Sequence, residues 1–243
     1  MNKKYKKTKP LRALLLSAGF GTRLQPITNK IPKCLVEINN KPILEHWLTK
    51  LEEINCEKVL INSHYLHSQV NEYLLNRKKS AMIIELKYEK QLLGTAGTLL
   101  NNYKFFENSK ILMIHVDNMT DFDISSFIDF DDQKRDKCVL SMLTFKTNKP
   151  SSCGIVVTDK NMVLRQFYEK SNNPPTNIAN CAIYIFQDDF INLLLKDFPY
   201  VKDFSTEVIP NYLGKIMTFY TDKEFIDIGT PESLKLARQT FKV

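Results

Sequence analysis

The chain has 243 residues, with 34 lysines and arginines against 27 acidic residues and a formal net charge of +7. Hydrophobic residues make up 43% of it, enough for a sizeable core. No apolar run approaches the roughly 18 residues of a membrane-spanning helix, so we expect no membrane partner. Five scattered cysteines without a Cys-x-x-Cys pair argue against a disulfide framework or a zinc site. Together with a start that lacks a signal-peptide pattern, they predict reduced thiols and a cytoplasmic location.

The excess of positive charge is concentrated at the start, where five lysines lie within the first nine residues. Such charge can bind nucleic acids or anionic substrates, but it is also typical of a solvated chain end. Beyond this segment, acids and bases mix without a basic stripe. We therefore predict a basic disordered tail over residues 1–10 and no nucleic-acid partner.

Apolar runs alternate with helix-period patterns through the first part of the chain. The predicted strands here are Ala13–Leu16, Val59–Asn62, Met82–Tyr88, Lys110–His115 and Cys138–Thr144. The predicted helices between them are Leu44–Ile54, Ser68–Arg77, Thr95–Tyr103 and Ile124–Phe130, and a turn is expected at Asn39–Pro42. This alternation predicts right-handed βαβ units, and therefore an α/β fold with a mixed, mostly parallel, Rossmann-like sheet flanked by helices.

The later part of the chain has shorter strand-like pieces separated by polar loops. Its predicted strands are Ile155–Thr158, Leu164–Tyr168, Ala182–Phe186, Ile216–Tyr220 and Phe225–Ile228. Its predicted helices are Asp189–Leu195, Ser205–Leu213 and Pro231–Thr240, the last with proline in its first turn. Because no linker or repeat interrupts the pattern, we predict a single domain over residues 11–243.

A glycine-rich loop follows the first predicted strand, with Gly19 and Gly21 one residue apart. Glycine at a strand end lets the backbone approach a phosphate closely, because no Cβ intervenes. Pro26 prevents an immediate helix, and no Gly-Lys-Ser/Thr follows, so the dinucleotide and Walker motifs are both excluded. A lone Gly-x-Gly is often an ordinary turn. Three nearby cations, Arg23, Lys30 and Lys33, favour triphosphate binding over a merely solvated loop.

The longer pattern around this loop, Ala18-Gly-x-Gly-Thr-Arg-Leu-x-Pro-x-Thr followed by Pro32-Lys33, resembles the signature of the sugar-1-phosphate nucleotidyltransferases. These enzymes make GDP-mannose, dTDP-glucose or UDP-sugars. Further motifs follow in the family's order: Glu89 with Leu93-Gly-Thr-Ala-Gly97, Val116-Asp-Asn118, Cys153-Gly154, Phe167-Tyr-Glu-Lys170, Asn180–Tyr184 and Asp227–Pro231. The resemblance covers about residues 11–240 and implies the nucleotide-diphospho-sugar transferase fold in its short, core-only form.

The resemblance also implies roles for individual residues. It makes residues 11–145 a nucleotide-binding half and residues 146–243 a sugar-binding half. The implied catalytic residues are Arg23 and Lys33, and the implied metal ligands are Asp117 and Asp227, holding Mg²⁺. The implied nucleotide-binding residues are Leu16, Ser17, Ala18, Gly19, Gly21, Thr22, Glu89, Gly94 and Thr95. The implied sugar-phosphate-binding residues are Gly154, Glu169, Lys170 and Asn180.

The chemistry of the implied reaction suits these residue types. A sugar-1-phosphate oxygen would attack the α-phosphorus of an NTP and expel pyrophosphate. Both reactants are anions, so the site must neutralise their repulsion and align them. Arg23 can bind phosphates with its forked guanidinium, whereas Lys33 and Lys170 are point charges. No general base is required, because the attacking phosphate is already ionised near neutral pH.

Several alternatives remain open at this level. Asp117 could cap the next segment, Asp227 could be a turn residue, and Asn180 could satisfy a buried backbone group. Departures at Cys153, Ser171 and Cys181 leave the sugar undetermined. The motifs are most similar to mannose- or heptose-1-phosphate guanylyltransferases, which favours GTP and polysaccharide precursors. The alternatives are a cytidylyl- or uridylyltransferase of another phosphorylated molecule, or a non-catalytic, regulatory nucleotide-sugar-binding subunit; a homo-oligomer is possible.

Overall fold

The computed structural model describes residues 9–135 and 137–241. Most of the predicted basic tail, residues 1–8, lies outside the described residues. Its last two residues are anchored to the domain: the Lys9 ammonium hydrogen-bonds to Asp188, and the Pro10 carbonyl accepts a hydrogen bond of 2.9 Å from the backbone N–H of Lys110. No helix in the described ranges is long and apolar enough to cross a membrane.

The strands fall close to the predicted positions, with three further short ones: two after the glycine loop and one after the strand that ends at His115. They are β1 (Leu11–Leu16), β2 (Glu37–Ile38), β3 (Lys41–Pro42), β4 (Lys58–Ser63), β5 (Ile83–Tyr88), β6 (Lys110–His115), β7 (Asn118–Thr120), β8 (Leu140–Lys146), β9 (Gly154–Thr158), β10 (Leu164–Glu169), β11 (Ile178–Gln187), β12 (Ile216–Thr221) and β13 (Phe225–Asp227). The predicted turn between β2 and β3 is confirmed: Asn39 and Asn40 have φ of 52° and 65°, as a two-residue hairpin turn requires.

The α-helices also follow the predicted order. They are α1 (Ile43–Glu53), α2 (His67–Asn76), α3 (Thr95–Asn101), α4 (Ile124–Asp132), α5 (Asp188–Asp197) and α6 (Pro231–Thr240). Helix α6 has the predicted bounds because Thr230 caps it. The Thr230 hydroxyl accepts a hydrogen bond of 3.2 Å from the Ser233 N–H, and Pro231 occupies the first helical position.

One predicted helix, Ser205–Leu213, is wrong as an α-helix. The segment is a π-helical turn at Phe204–Val208 followed by a 3₁₀ turn at Ile209–Tyr212. Pro210 lies in this segment, and proline has no N–H to give to an α-helical ladder. The apolar residues whose spacing predicted the helix still face the core, since Val208 and Tyr212 are buried.

Within the described residues, nine strands form one sheet in which β10, β9, β11, β6, β1, β4 and β5 are neighbours in that order. The pairs of β1 with β6 and β4, and of β4 with β5, are parallel. Strand β11 is antiparallel to β6, β8 and β9, and β12 adds to β8 in parallel. The predicted mixed, Rossmann-like sheet is therefore confirmed, with its parallel part centred on β1.

The sheet separates two hydrophobic cores. Successive residues of a strand face opposite sides, so Ala13 and Leu15 pack with helices α1, α4 and α6, whereas Leu14 packs with α3 and α5. All three side chains are fully buried. Covering both faces explains why β1 is apolar from Ala13 to Leu16, the part that leads into the glycine loop.

Candidate active site

The glycine loop starts where three parallel strands end. Leu16 pairs with His115 of β6 on one side and with Asn62 of β4 on the other. Ser17 then fixes the exit of the chain, because its backbone N–H donates to Asn62 Oδ1 at 2.7 Å and its hydroxyl donates to the Asn62 carbonyl. Ala18 is buried beneath the loop. Ligands of α/β folds gather at this edge of the sheet.

The two glycines of the loop differ in what surrounds them. Gly21 has φ of 67°, and a Cβ placed on it would lie 2.9 Å from Thr28 Cγ2. The Thr28 hydroxyl also donates to the Gly21 carbonyl at 2.7 Å, which ties the loop to the following 3₁₀ turns. At Gly19 no heavy atom lies within 4 Å of such a Cβ. Thr22, exposed, begins the first 3₁₀ turn, and no α-helix follows it, as Pro26 predicted.

Arg23, Lys33, Asp117 and Asp227, which are distant in sequence, come together beside this loop. Lys33 Nζ donates to Asp117 Oδ2 and lies 3.7 Å from Asp227 Oδ1. Arg23 Nη2 lies 3.8 Å from Asp227 Oδ2. The Lys33 side chain is only 12% exposed, whereas that of Arg23 is 69% exposed and free to reach an incoming anion.

A short antiparallel pair, β7 with β13, brings the two carboxylates together. Asn118 is the register partner of Asp227, and the Ile228 N–H donates to the Asp117 carbonyl at 2.9 Å. Gly229 then passes under Arg23, where a Cβ would lie 2.9 Å from Nη2. The chain around Asp227 therefore positions both a carboxylate and the guanidinium.

The pKa values of the two carboxylates shift in opposite directions. Burial opposes ionisation of Asp117, but the charges of Lys33 and His115 and the hydrogen bond from Lys33 together outweigh it and lower the pKa of Asp117. Partial burial and the charge of Asp117 raise the pKa of Asp227. Two carboxylates that face the same small volume repel each other, and a cation between them relieves that repulsion.

This pair suits a hard divalent cation that substrates also ligate. Within residues 9–135 and 137–241, no group of three or more His, Cys, Asp or Glu side chains could hold a metal ion. Mg²⁺ does not need such a group, because it is bound through one or two carboxylates together with waters and phosphates. Asp117 and Asp227 already share one ammonium group, so their oxygens converge on a position that suits positive charge.

The motif of Glu89 with Leu93–Gly97, which was predicted to bind the nucleotide, is held by a buried polar network. Glu89 Oε1 accepts hydrogen bonds from Asn62 Nδ2 at 3.0 Å and from the Thr98 hydroxyl at 2.5 Å, and Glu89 Oε2 accepts from the Leu93 N–H at 3.2 Å. Both oxygens of Glu89 thus shape the loop. Asn62 and Thr98 were not predicted as site residues. The available signal was their polar character within otherwise apolar segments.

The turn into α3 is locked by a later part of the chain. Gly94 has φ of 80°, and a Cβ there would lie 2.4 Å from the Lys202 carbonyl oxygen. Thr95 Oγ1 accepts a hydrogen bond of 2.7 Å from the Phe204 N–H. The side chain of Thr95 therefore fixes the loop against the Lys202–Phe204 segment, which belongs to the half that was predicted to bind the sugar.

Gly154, Glu169 and Lys170 lie together on the β9–β10 pair. Glu169 is the register partner of Gly154, and a Cβ on Gly154 would lie 2.7 Å from Glu169 Oε2. Lys170 has φ of 48°, donates its N–H to the Cys153 carbonyl at 3.0 Å, and places Nζ 3.6 Å from Glu169 Oε1. Burial raises the pKa of Glu169 against the opposing charge of Lys170, and Asp203, which was not predicted, adds to the rise.

Asn180 shapes an irregularity in β11. Its Oδ1 accepts from the Ala182 N–H at 2.9 Å, and its Nδ2 donates to the Tyr184 hydroxyl at 2.6 Å. The strand register shifts between Asn180 and Tyr184, and Ala182 has φ of 53°. Asn118 Nδ2 donates to the Cys181 carbonyl at 2.8 Å, so this irregular stretch lies behind Asp117. A sugar contact by Asn180 stays a prediction.

Known proteins are similar to this chain along most of its length. A family model described as nucleotidyl transferase matches residues 12–242. The catalytic subunit beta of mannose-1-phosphate guanylyltransferase from Drosophila melanogaster is 32% identical over 186 residues, covering 74% of this chain and 49% of that protein. The UTP–glucose-1-phosphate uridylyltransferase of Synechocystis is 27% identical over 235 residues, covering 90% of this chain and 60% of that protein. The chain thus spans about half to three-fifths of the length of these curated relatives.

Solved structures share the fold along most of the chain. HddC from Yersinia pseudotuberculosis, in a crystal structure complexed with GMP-PN, has a TM-score of 0.79 and 26% identity. The alignment covers 95% of this chain and 99% of that chain.

Proposed function

Because the chain belongs to the nucleotidyl transferase family, we propose that it transfers a nucleotidyl group from an NTP to a sugar-1-phosphate and releases pyrophosphate. The observation that carries this proposal is the meeting of Arg23, Lys33, Asp117 and Asp227 at the ends of the parallel strands. Two cations and two carboxylates on one open edge suit a reaction between two anions, in which charge must be balanced before the phosphates can approach.

The two cations would act differently. Lys33 is held between carboxylates at the bottom of the site, so we assign it to the α-phosphate, where attack occurs. Arg23 is exposed at the rim and can offer a forked guanidinium to the departing β- and γ-phosphates. Lys170, on the β9–β10 pair, would bind the phosphate of the sugar, and Glu169 beside it would accept hydrogen bonds from sugar hydroxyls.

Asp117 and Asp227 would hold Mg²⁺, since both carboxylates converge on one position that suits positive charge. When bound, this ion would neutralise phosphate charge and orient the α-phosphate for in-line displacement. The chain's own part is to hold the two carboxylates in register through β7 and β13. Gly19 and Gly21 would let backbone N–H groups approach the triphosphate from the other side.

We favour GTP as the nucleotide, and mannose- or heptose-1-phosphate as the acceptor, for polysaccharide precursors. The guanylyltransferase from Drosophila and the HddC complex with GMP-PN support this choice. The Synechocystis relative, a uridylyltransferase, keeps UTP as the alternative. The predicted cytoplasmic location and a possible homo-oligomer belong to the same proposal.

The test is a pyrophosphate-release screen of GTP, UTP, dTTP, CTP and ATP against a panel of sugar-1-phosphates. We expect release with GTP and one hexose- or heptose-1-phosphate, dependent on both substrates. Release only with CTP and a non-sugar phosphate would replace this proposal with cytidylyl transfer. Binding of a nucleotide sugar without release from any pair would make the chain a regulatory subunit.

A further inference from the structure

The indole of Trp47 lies behind the site and is hydrogen-bonded to the backbone on both sides of Asp117. Trp47 Nε1 donates to two carbonyl oxygens, that of Val116 at 3.1 Å and that of Asn118 at 2.8 Å. These are the residues on either side of Asp117. The indole is 1% exposed, so water cannot substitute for its N–H.

We propose that Trp47 is the positioning residue for the Asp117 carboxylate, through a single N–H shared by the two flanking carbonyls. Trp47 lies in the predicted helix Leu44–Ile54, and its ring packs in the core beneath β6 and β7. Packing alone needs any large apolar side chain. The N–H also orients the backbone around Asp117, which a phenylalanine or leucine side chain could not do because it has no donor.

Asp117 lies just after the end of β6, so hydrogen bonds to neighbouring strands of the main sheet do not fix its backbone on both sides. Two contacts from the nucleotide half hold this stretch: Trp47 of α1, and the Val116 N–H donating to the Leu16 carbonyl at 3.1 Å. From the other half, the Ile228 N–H donates to the Asp117 carbonyl, and Asn118 Nδ2 donates to the Cys181 carbonyl. Ile228 and Cys181 belong to the sugar half, whereas Trp47 belongs to the nucleotide half. Trp47 therefore acts together with the Val116–Leu16 hydrogen bond in fixing Asp117 relative to the glycine loop, and its N–H contacts the residues on both sides of Asp117.

This inference rests on the proposed function where it concerns turnover, but the placement of Asp117 can be measured without turnover. Trp47 is the only tryptophan of the chain. Growth of a tryptophan auxotroph on β-(3-benzothienyl)alanine therefore replaces this one side chain by an isostere that carries sulfur in place of N–H. Trp47→Phe supplies a second, genetically encoded removal of the donor.

The control is Leu51→Ala, which removes a fully buried side chain from the same helix and the same core without touching Asp117. Each protein is measured for thermal stability and for Mn²⁺ affinity in the presence of an NTP analogue with a methylene bridge between the α- and β-phosphorus. Each is also measured for kcat and KM with the substrates that the screen identifies.

For the benzothienyl protein we expect Mn²⁺ affinity and kcat to fall about tenfold, the effect of one lost buried hydrogen bond, with KM for sugar phosphate within about twofold. Leu51→Ala should lose more stability yet keep Mn²⁺ affinity. If the benzothienyl protein binds Mn²⁺ as the unmodified protein does, or if Leu51→Ala loses affinity equally, the positioning role is wrong. If no substrate pair releases pyrophosphate, the proposed function fails, while the Mn²⁺ comparison still decides the role of Trp47.

Discussion

The substitution Gly19→Ala tests whether glycine is needed at this position for folding or for binding of the substrate. Its φ is outside the left-handed region, and no heavy atom lies within 4 Å of a Cβ built there. Gly19→Ala should therefore fold normally. Since alanine also restricts the unfolded chain, the free energy of unfolding should stay equal or rise by about 0.4–1 kcal/mol.

The effect on substrate should be much larger if a triphosphate passes over this loop. A methyl group would push a phosphate away from the backbone and cost one charge-assisted hydrogen bond. Such a bond is worth about 1.5–3 kcal/mol, so KM for the NTP should rise roughly 10- to 150-fold. KM for the sugar phosphate should change little, because its predicted site lies on the β9–β10 pair and not on this loop.

The assay is steady-state pyrophosphate release, with thermal unfolding followed on the same samples. Gly21→Ala is the matched comparison: its φ of 67° and the 2.9 Å approach to Thr28 predict a loss of about 1–3 kcal/mol in stability. An unchanged KM for the NTP in folded Gly19→Ala would refute close approach of the phosphates to this loop.

Four further outcomes are expected. Lys33→Ala should fold and lower kcat by about 10³-fold or more, since it removes the charge at the attacked phosphorus; turnover within a few-fold of the original would contradict the assignment. Burial raises the pKa of Glu169 above its ordinary 4.5, so KM for the sugar phosphate should rise as the pH falls from neutrality toward that value. The sugar phosphate itself titrates at about pH 6, so Glu169→Gln should weaken this dependence and leave the part that the substrate causes. The Arg77 side chain is 9% exposed and bonded to Glu45 and Glu52, so Arg77→Met should lower the free energy of unfolding by about 2–4 kcal/mol. Denaturant unfolding measures this loss, and kcat of the folded fraction should be unchanged. EDTA should abolish turnover and excess Mg²⁺ should restore it, whereas activity persisting in chelator would remove the metal role.

The local parts of the fold were predictable because they depend on short spacings. The alternation of apolar strands and amphipathic helices gave β1, α1 and α6 nearly to the residue. The proline in 205–213 was visible in the sequence, but the strong apolar spacing around it favoured a helix that the backbone does not form. Such conflicts between hydrophobic pattern and hydrogen bonding are settled by tertiary packing.

The geometry of the site was less predictable, because it depends on contacts between distant segments. Asp117 and Asp227 were predicted to share a metal only through the family resemblance, whereas their meeting depends on β7 pairing with β13 across more than a hundred residues. Nothing in the sequence indicated that both oxygens of Glu89 are engaged inside the protein, or that Trp47 bonds around Asp117. These bonds need the folded positions of three or four segments at once.

The most direct test of the central proposal is the fate of the phosphorus atoms of the NTP. The purified chain is incubated with Mg²⁺, the sugar-1-phosphate that the screen identifies, and GTP labelled either at its α- or at its γ-phosphorus. The account predicts that the α-label appears in a nucleotide sugar and the γ-label in pyrophosphate, in equal amounts. Release of the γ-label as inorganic phosphate, or no transfer of the α-label to the sugar, would contradict it.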